Sequence, residues 1–301
     1  MSILNIGLIG FSGRLGAHIL DHLIDAQNQD KLHLVILHRE NSDLSKLPPH
    51  VEIETRLIQL DERGVEVTKK AVEDLDVVIS SVWYAGIPSQ VYLIDALASS
   101  SRIKLFIPSD YGLSWTNEEL DNSALEFGHI KVKSKVIEKK ANELNVPIVN
   151  VRVGCFDQTF FPGEVIGLDA QTNKIRFYRE TALKYQVRIT TLDYLGYALT
   201  QLSLDPSRIA GKTITLYDIA LTGQEIVDVL TVIHGSPTEV AKFTEEEYQR
   251  DLKDFSGSIG AGVKKRWVEN DWRVGEKVEI EGYTHVSFED ITRKWLSSVS
   301  T

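Results

Sequence analysis

Apolar and polar positions alternate along this chain in two rhythms. Ile3 to Ile9 is a short, nearly unbroken apolar run, the pattern of a strand buried on both faces. Directly after it, Leu15, Ile19, Leu20, Leu23 and Ile24 recur at the spacing of one helical face. The pair of patterns then repeats. Lys31 to Leu37 predicts a second strand and Arg56 to Leu60 a third, followed by a helix through Val65, Val72 and Leu75. Asp76 to Ser80 predicts a fourth strand, Ser89 to Ser99 a helix, and Lys104 to Pro108 a fifth strand. Strands alternating with helices of this length predict an α/β fold: a Rossmann-type, doubly wound parallel sheet with right-handed crossovers.

From Phe156 the rhythm changes. Phe156, Phe160, Phe161 and Pro162 form an aromatic patch, and Gly163 and Gly167 interrupt regular structure. Strands are predicted at Lys174 to Tyr178, Leu183 to Ile189 and Thr213 to Leu216. Thr191-Leu192-Asp193 starts a helix through Leu195, Leu199 and Leu202. Thr222-Gly223-Gln224-Glu225 has capping-box spacing and starts another. Glu245 to Phe255 reads as an exposed helix and Ser256 to Gly262 as a flexible glycine/serine loop. Trp267, Trp272 and Trp295 either line a pocket or fill one. The expected organisation is a dinucleotide-binding domain over residues 1–155, to which 187–218 returns, and a second, smaller substrate-covering domain over most of 156–301.

Composition narrows the function classes. The chain has 301 residues, 43% hydrophobic and 25% charged, with a net charge of -10 and no basic block, which disfavours nucleic-acid binding. A single cysteine, Cys155, excludes an internal disulfide and a cysteine-based metal cluster. No metal constellation, internal repeat or nucleophilic triad is visible. Without a signal-like segment before the first strand or a membrane-length apolar run, the expected setting is cytoplasmic, with the nucleus also open.

The candidate chemistry begins where the first strand meets the first helix. Gly10, Gly13 and Gly16 are spaced G-x-x-G-x-x-G across that junction. Gly10 allows a sharp turn off the strand, Gly13 a close approach of backbone N–H groups to a pyrophosphate, and Gly16 tight packing of helix on sheet. The alternative is an ordinary strand-to-helix turn; the position at the start of a strand–helix unit favours cofactor binding. The end of the second strand is where such folds read the adenosine ribose. In place of an acidic residue stands Arg39, followed by Glu40, with Lys46 further on and Arg14 in the glycine loop. These cations favour NADP(H) over NAD(H) by pairing with a 2′-phosphate, against the alternative of solvated surface charge. Ser80, Ser81, Ala85 and Gly86 suit backbone passing a nicotinamide ribose, beside Trp83 and Tyr84 as walls or core.

Three further segments carry a family resemblance. Leu105 to Gly112, with Pro108-Ser109-Asp110-Tyr111-Gly112, resembles the Phe-x-Pro-Ser-Glu-Phe-Gly segment of the isoflavone reductase and NmrA-like group of atypical short-chain dehydrogenases. Val132-Lys133-Ser134-Lys135-Val136 resembles its lysine-bearing helix, and Val146 to Phe156 its sixth strand and following turn. The resemblance covers about residues 3 to 232. It implies NADP(H) in the cleft, held by Gly10, Ser12, Gly13, Arg14, Leu15, Gly16, Arg39, Lys46, Ser80, Ser81, Val82, Pro108, Ser109 and Lys133. Tyr84, Asp110, Tyr111, Gly112, Cys155 and Phe156 are the candidate substrate contacts.

Lys133 matches the lysine of the family's reductases. Its charge is suited to bond ribose hydroxyls and to stabilise an oxygen that becomes negative on hydride addition. His129, four residues earlier, shares its helical face and either donates the proton or acts as a supporting, capping histidine. His-x-x-x-Lys thus stands where ordinary short-chain dehydrogenases have Tyr-x-x-x-Lys. Two functions follow. One is an NADPH-dependent reductase of a small aromatic or conjugated carbonyl-type substrate. The other is a non-catalytic NADP(H)-binding redox sensor that acts through a protein partner.

Overall fold

The computed structural model describes residues 3–113, 135–161, 166–251, 253, 255–272 and 275–299. Five parallel strands, β1 (Leu4–Ile9), β2 (Leu32–His38), β3 (Glu54–Leu57), β4 (Val77–Ser80) and β5 (Leu105–Ile107), form a sheet of order β3-β2-β1-β4-β5. The order reverses at β1, whose neighbours are β2 and β4, so the carboxyl end of β1 opens a crevice between two halves of the sheet. A parallel bridge, Phe106 to Ile148, leads from β5 towards β6 (Asn150–Val153).

Alternate side chains of these strands pack on the two faces of the sheet, which together make the first core. On one face, Ile6, Leu8, Leu34, Ile36, Val77 and Ile79 meet Ile19, Leu20 and Leu23 of α1 (Arg14–Asn28). On the other, Val35, Leu37, Val78 and Phe106 meet α2 (Val65–Val72), α3 (Gln90–Leu97) and α4 (Ile137–Glu143). Burial on both faces explains the continuous apolar runs of the sequence. β3 is the exception. The predicted Arg56–Leu60 strand is displaced towards the N-terminus, because the sheet pairs Glu54–Leu57 with Val35–His38 and only Arg56 of these is partly buried. An edge strand with so few buried residues carries little periodicity to read.

A second core lies beyond β6. β7 (Cys155–Phe156) leads into the single turn α5 (Asp157–Phe160). β8 (Leu168–Asp169) and β9 (Lys174–Phe177) follow as an antiparallel pair. β10 (Gln186–Thr190) pairs with β7 and, later, with β12 (Ile219–Thr222). Between them, α6 (Leu192–Ser203) and β11 (Thr213–Leu216) turn back to the large sheet. β11 runs parallel beside β6, and α6 lies on α1 at Gly196, where a Cβ would sit 2.8 Å from the backbone of His18.

The predicted caps of α6 and α7 (Gly223–His234) are present. Thr191 Oγ1 accepts from the N–H of Tyr194, and Thr222 with Glu225 forms a full capping box. β13 (Glu239–Lys242) joins β9, and α8 (Glu245–Asp251) ends short of the expected Phe255.

The expected loop at Ser256 to Gly262 is instead part of α9 (Phe255–Glu269). Glycine costs a helix about 1 kcal/mol relative to alanine. Here Val263, Trp267 and Val268 are buried in the second core and Ala261 is buried as well, and that burial outweighs propensity. The tryptophans are resolved by the same packing. The indole N–H groups of Trp267 and Trp272 donate to the carbonyls of Tyr185 and Gln186 at 2.6 and 3.1 Å, so both fill the core. β14 (Glu276–Lys277) then adds to β11, and α10 (Phe288–Val299) closes over the second core through Phe288 and Trp295.

Candidate functional site

The glycine loop stands at the switch in strand order. Gly10 takes φ +85°, a left-handed conformation, and a Cβ there would lie 2.3 Å from the carbonyl oxygen of Ser81, after β4. Gly16 is tighter still, since its Cβ would meet the carbonyl oxygen of Gly10 at 1.9 Å. Both glycines are demanded by the fold itself. Gly13 is different. It has an ordinary φ of -78°, and its Cβ would touch nothing closer than 3.4 Å. Its N–H donates to Gly10 O at 3.0 Å, and it caps α1 without any side-chain hydrogen bond. No acidic residue occupies the first turn, and Ser12, Gly13 and Arg14 are exposed. A 15-residue helix thus points uncapped N–H groups and a positive dipole end outward beside a cation, an arrangement suited to an anion such as a pyrophosphate.

β1 and β2 are paired in register to Ile9 and Leu37, so the residues after β2 emerge beside the glycine loop. Arg39 is exposed there, and its N–H donates to Ser42 Oγ at 3.1 Å. Lys46 ends a short turn whose start is capped by Asp43, and its side chain is also exposed. Hydrogen bonds from Ser45 hold Asp43 below the ordinary carboxyl range, so one anion stays among these cations.

The ends of β4 and β5 are tied to each other. Ser109 Oγ donates to the carbonyl of Val82 at 2.8 Å, and Gln90 Oε1 accepts from the N–H of Ser109 at 2.8 Å. The Tyr111 hydroxyl, fully enclosed and with its pKa raised by burial, donates to the carbonyl of Ser80 at 3.0 Å. Asp110 accepts from Arg152 Nη1 at 3.0 Å in a buried ion pair that joins β5 to β6. Among the described residues, Ser80 Oγ and Arg152 Nε are buried here without a hydrogen-bond partner.

A model of the NmrA-like family matches residues 4–278. The chain belongs to the NmrA-like family. Among curated relatives, an isoflavone reductase homolog of Lupinus albus is 27% identical over 205 residues, 64% of each chain. A bifunctional pinoresinol-lariciresinol reductase of Forsythia intermedia is 24% identical over 275 residues, 85% of this chain and 84% of that one. Among solved structures, an isoflavone reductase superposes with a TM-score of 0.77 at 18% identity, covering 98% of this chain and all of the other (100%). The leucoanthocyanidin reductase–NADPH complex of Vitis vinifera superposes with a TM-score of 0.74 at 15% identity, covering 97% and 99%. These likenesses establish the fold.

In this NmrA-like protein the sequence-derived residues separate into three groups. Gly10, Ser12, Gly13, Arg14, Leu15 and Gly16 span the turn from β1 into α1, with Arg39 after β2 on one side and Ser80, Ser81 and Val82 on the other, while Lys46 lies in the short turn Leu44–Lys46. Pro108, Ser109, Asp110 and Tyr111 are buried, with the serine hydroxyl, tyrosine hydroxyl and carboxylate engaged inside the protein. Gly112 bridges to Arg152, and Cys155 is buried, its thiol pushed up to about 12 by desolvation, so it stays protonated. Phe156 is partly buried, and the backbone at Tyr84 forms a short turn, Tyr84–Gly86. His129 and Lys133 lie outside the described residues.

Sequence reasoning missed a cleft of about 510 Å³ between α1, α5, the start of α6 and α10. His18, Asp157, Asp193, Tyr283 and Trp295 all face it. His18 and His22, four apart on α1, approach Asp193 Oδ1 at 3.6 and 3.1 Å, and the Tyr283 hydroxyl donates to Asp193 at 3.0 Å. The His-x-x-x-His spacing was a readable signal; that it meets an acid 171 residues away was not. Among the described residues there is no metal-holding group of acids, histidines and cysteine, and no helix long and apolar enough to cross a membrane.

Proposed function

We propose that this protein is an NADPH-dependent reductase that delivers hydride to a small aromatic or conjugated carbonyl-type substrate. The observation that carries the reading is the uncapped, acid-free N-terminus of α1, with Gly13 leaving room where no neighbour requires a glycine. Ser12, Gly13, Arg14, Leu15 and Gly16 would take the pyrophosphate. Arg39, with Lys46 and Arg14, would pair with the 2′-phosphate. Ser80, Ser81, Val82, Pro108 and Ser109 would border the nicotinamide end. Residues 1–155 with 187–218 form the cofactor-binding domain in this reading, and most of 156–301 covers the substrate. The nicotinamide cofactor supplies the hydride when bound. The chain's own part is to hold it and to place charge at the reacting oxygen: Lys133 stabilises the developing oxyanion, and His129 or a water returns the proton.

The bound NADPH of the leucoanthocyanidin reductase structure and the reductase relatives support this cofactor and reaction type. Replacement of Lys133 by alanine tests the catalytic part. NADPH oxidation should fall at least about a hundredfold while NADPH affinity stays within about threefold of wild type. Unchanged turnover removes the role assigned to Lys133.

A further inference from the structure

The cleft beside α1 is built for charge as well as shape. One wall is aromatic: Trp295 stacks on Phe161 with ring centroids 5.3 Å apart and planes 19° from parallel, and Tyr283 also lines the cleft. The polar lining includes three carboxylates, Asp157, Asp193 and Asp290, against Lys294 and His18. Two of the carboxylates are already committed. Asp193 is held by His22 and Tyr283, and Asp290 accepts from the N–H and hydroxyl of Ser287 at the start of α10. Asp157 is not. Its hydrogen bonds come from backbone N–H groups, that of Leu192 at 3.3 Å, and no ion pair reaches it among the described residues. Burial raises its pKa, with only a Coulombic pull from His18 among charged groups to offset it. Such a carboxylate gains most from a cation that arrives with a ligand.

Position ties the cleft to the reductase reading. Asp157 directly follows Phe156, a candidate substrate contact, and His18 lies one helical turn beyond Arg14 of the glycine loop. We propose that this cleft recognises a cationic aromatic ligand, a flat ring system bearing an ammonium or protonated ring nitrogen. The ring lies along Trp295, and the positive group pairs with Asp157. Aromatic faces and a carboxylate together are the usual surroundings of a bound organic cation. The cleft's excess of acid disfavours carboxylate-bearing molecules of the same shape. The inference rests on the proposed function only in treating this cleft as the place where substrate is held.

Titration calorimetry on the full chain with three probes of one shape tests it: 2-(1-naphthyl)ethylamine, 2-(1-naphthyl)ethanol and 1-naphthylacetate, at neutral pH. The amine should bind at least about tenfold more tightly than the alcohol, and the acetate more weakly than either. Asp157→Asn, which keeps an acceptor for the Leu192 N–H, should bring the amine down to the affinity of the alcohol. Equal binding of amine and alcohol by the wild type overturns the proposal without any variant. So does an amine preference that survives in a folded Asp157→Asn protein. NADPH binding on the same samples separates the two readings. An amine preference without NADPH binding leaves the cleft's ligand standing and removes the reductase. NADPH binding without an amine preference does the reverse.

Discussion

A single methyl group has opposite consequences at two glycines of the same loop. At Gly16 it would collide with the carbonyl oxygen of Gly10, and nothing there can yield without moving β1 away from α1. Gly16→Ala should therefore cost more than about 2 kcal/mol of stability, visible as a lowered denaturation midpoint before any ligand is added. At Gly13 the methyl meets only ordinary contact distances, 3.4 Å and beyond. Gly13→Ala should fold with a nearly unchanged midpoint and lose NADPH affinity, because the methyl occupies the space assigned to the pyrophosphate. Calorimetry with NADPH, run beside thermal unfolding of both variants, distinguishes the two. Arg39 makes a third case. Its exposed guanidinium makes no hydrogen bond or ion pair among the described residues, so Arg39→Ala should weaken NADPH by about tenfold and leave NADH unchanged in paired titrations.

At the scale of elements, ties between segments decide stability. The buried Arg152–Asp110 pair joins β5 to β6, and Arg152→Met would remove that tie. A loss of about 3–5 kcal/mol in urea unfolding is expected, with less than additive loss on adding Asp110→Asn. The link between α8 and β9 should show itself as acid sensitivity. Glu247 accepts from the Thr244 N–H and from Arg176 at 2.6 and 2.7 Å, and these bonds lower its pKa from 4.5 to about 2. A depressed carboxyl pKa stabilises the fold above the unfolded value, and that contribution disappears as pH falls from 4.5 through 2. Glu247→Gln should flatten the loss of thermal stability over that interval relative to wild type.

Elements also show what a sequence can disclose. β1, β2, β4 and β5 were legible because burial on both faces writes apolar runs, and the caps of α6 and α7 because Thr191 and Thr222 must serve nearby N–H groups. α9 was not, since what holds it helical is the burial of Val263, Trp267 and Val268 in a core assembled from distant segments. The glycine loop was readable from local steric need. The Arg152–Asp110 pair and the cleft around Asp157 depend on residues far apart in sequence, so spacing alone could not assemble them.

For the whole molecule, one cleft is lined by α1, α5, the start of α6 and α10, and the glycine loop opens at the same end of the sheet as the residues after β4 and β5. This is the layout of a cofactor crevice at a topological switch point. Membership of the NmrA-like family is consistent with both turnover and sensing, because a shared fold does not decide chemistry. The direct discriminator is the absorbance of reduced nicotinamide after mixing protein and NADPH with a panel of quinones, enones and aromatic carbonyls, including members that carry an amine. Substrate-dependent loss of NADPH is expected, abolished by Lys133→Ala and weakened by Gly13→Ala. Tight NADPH binding with no oxidation by any member of the panel would contradict it and favour the redox-sensing role.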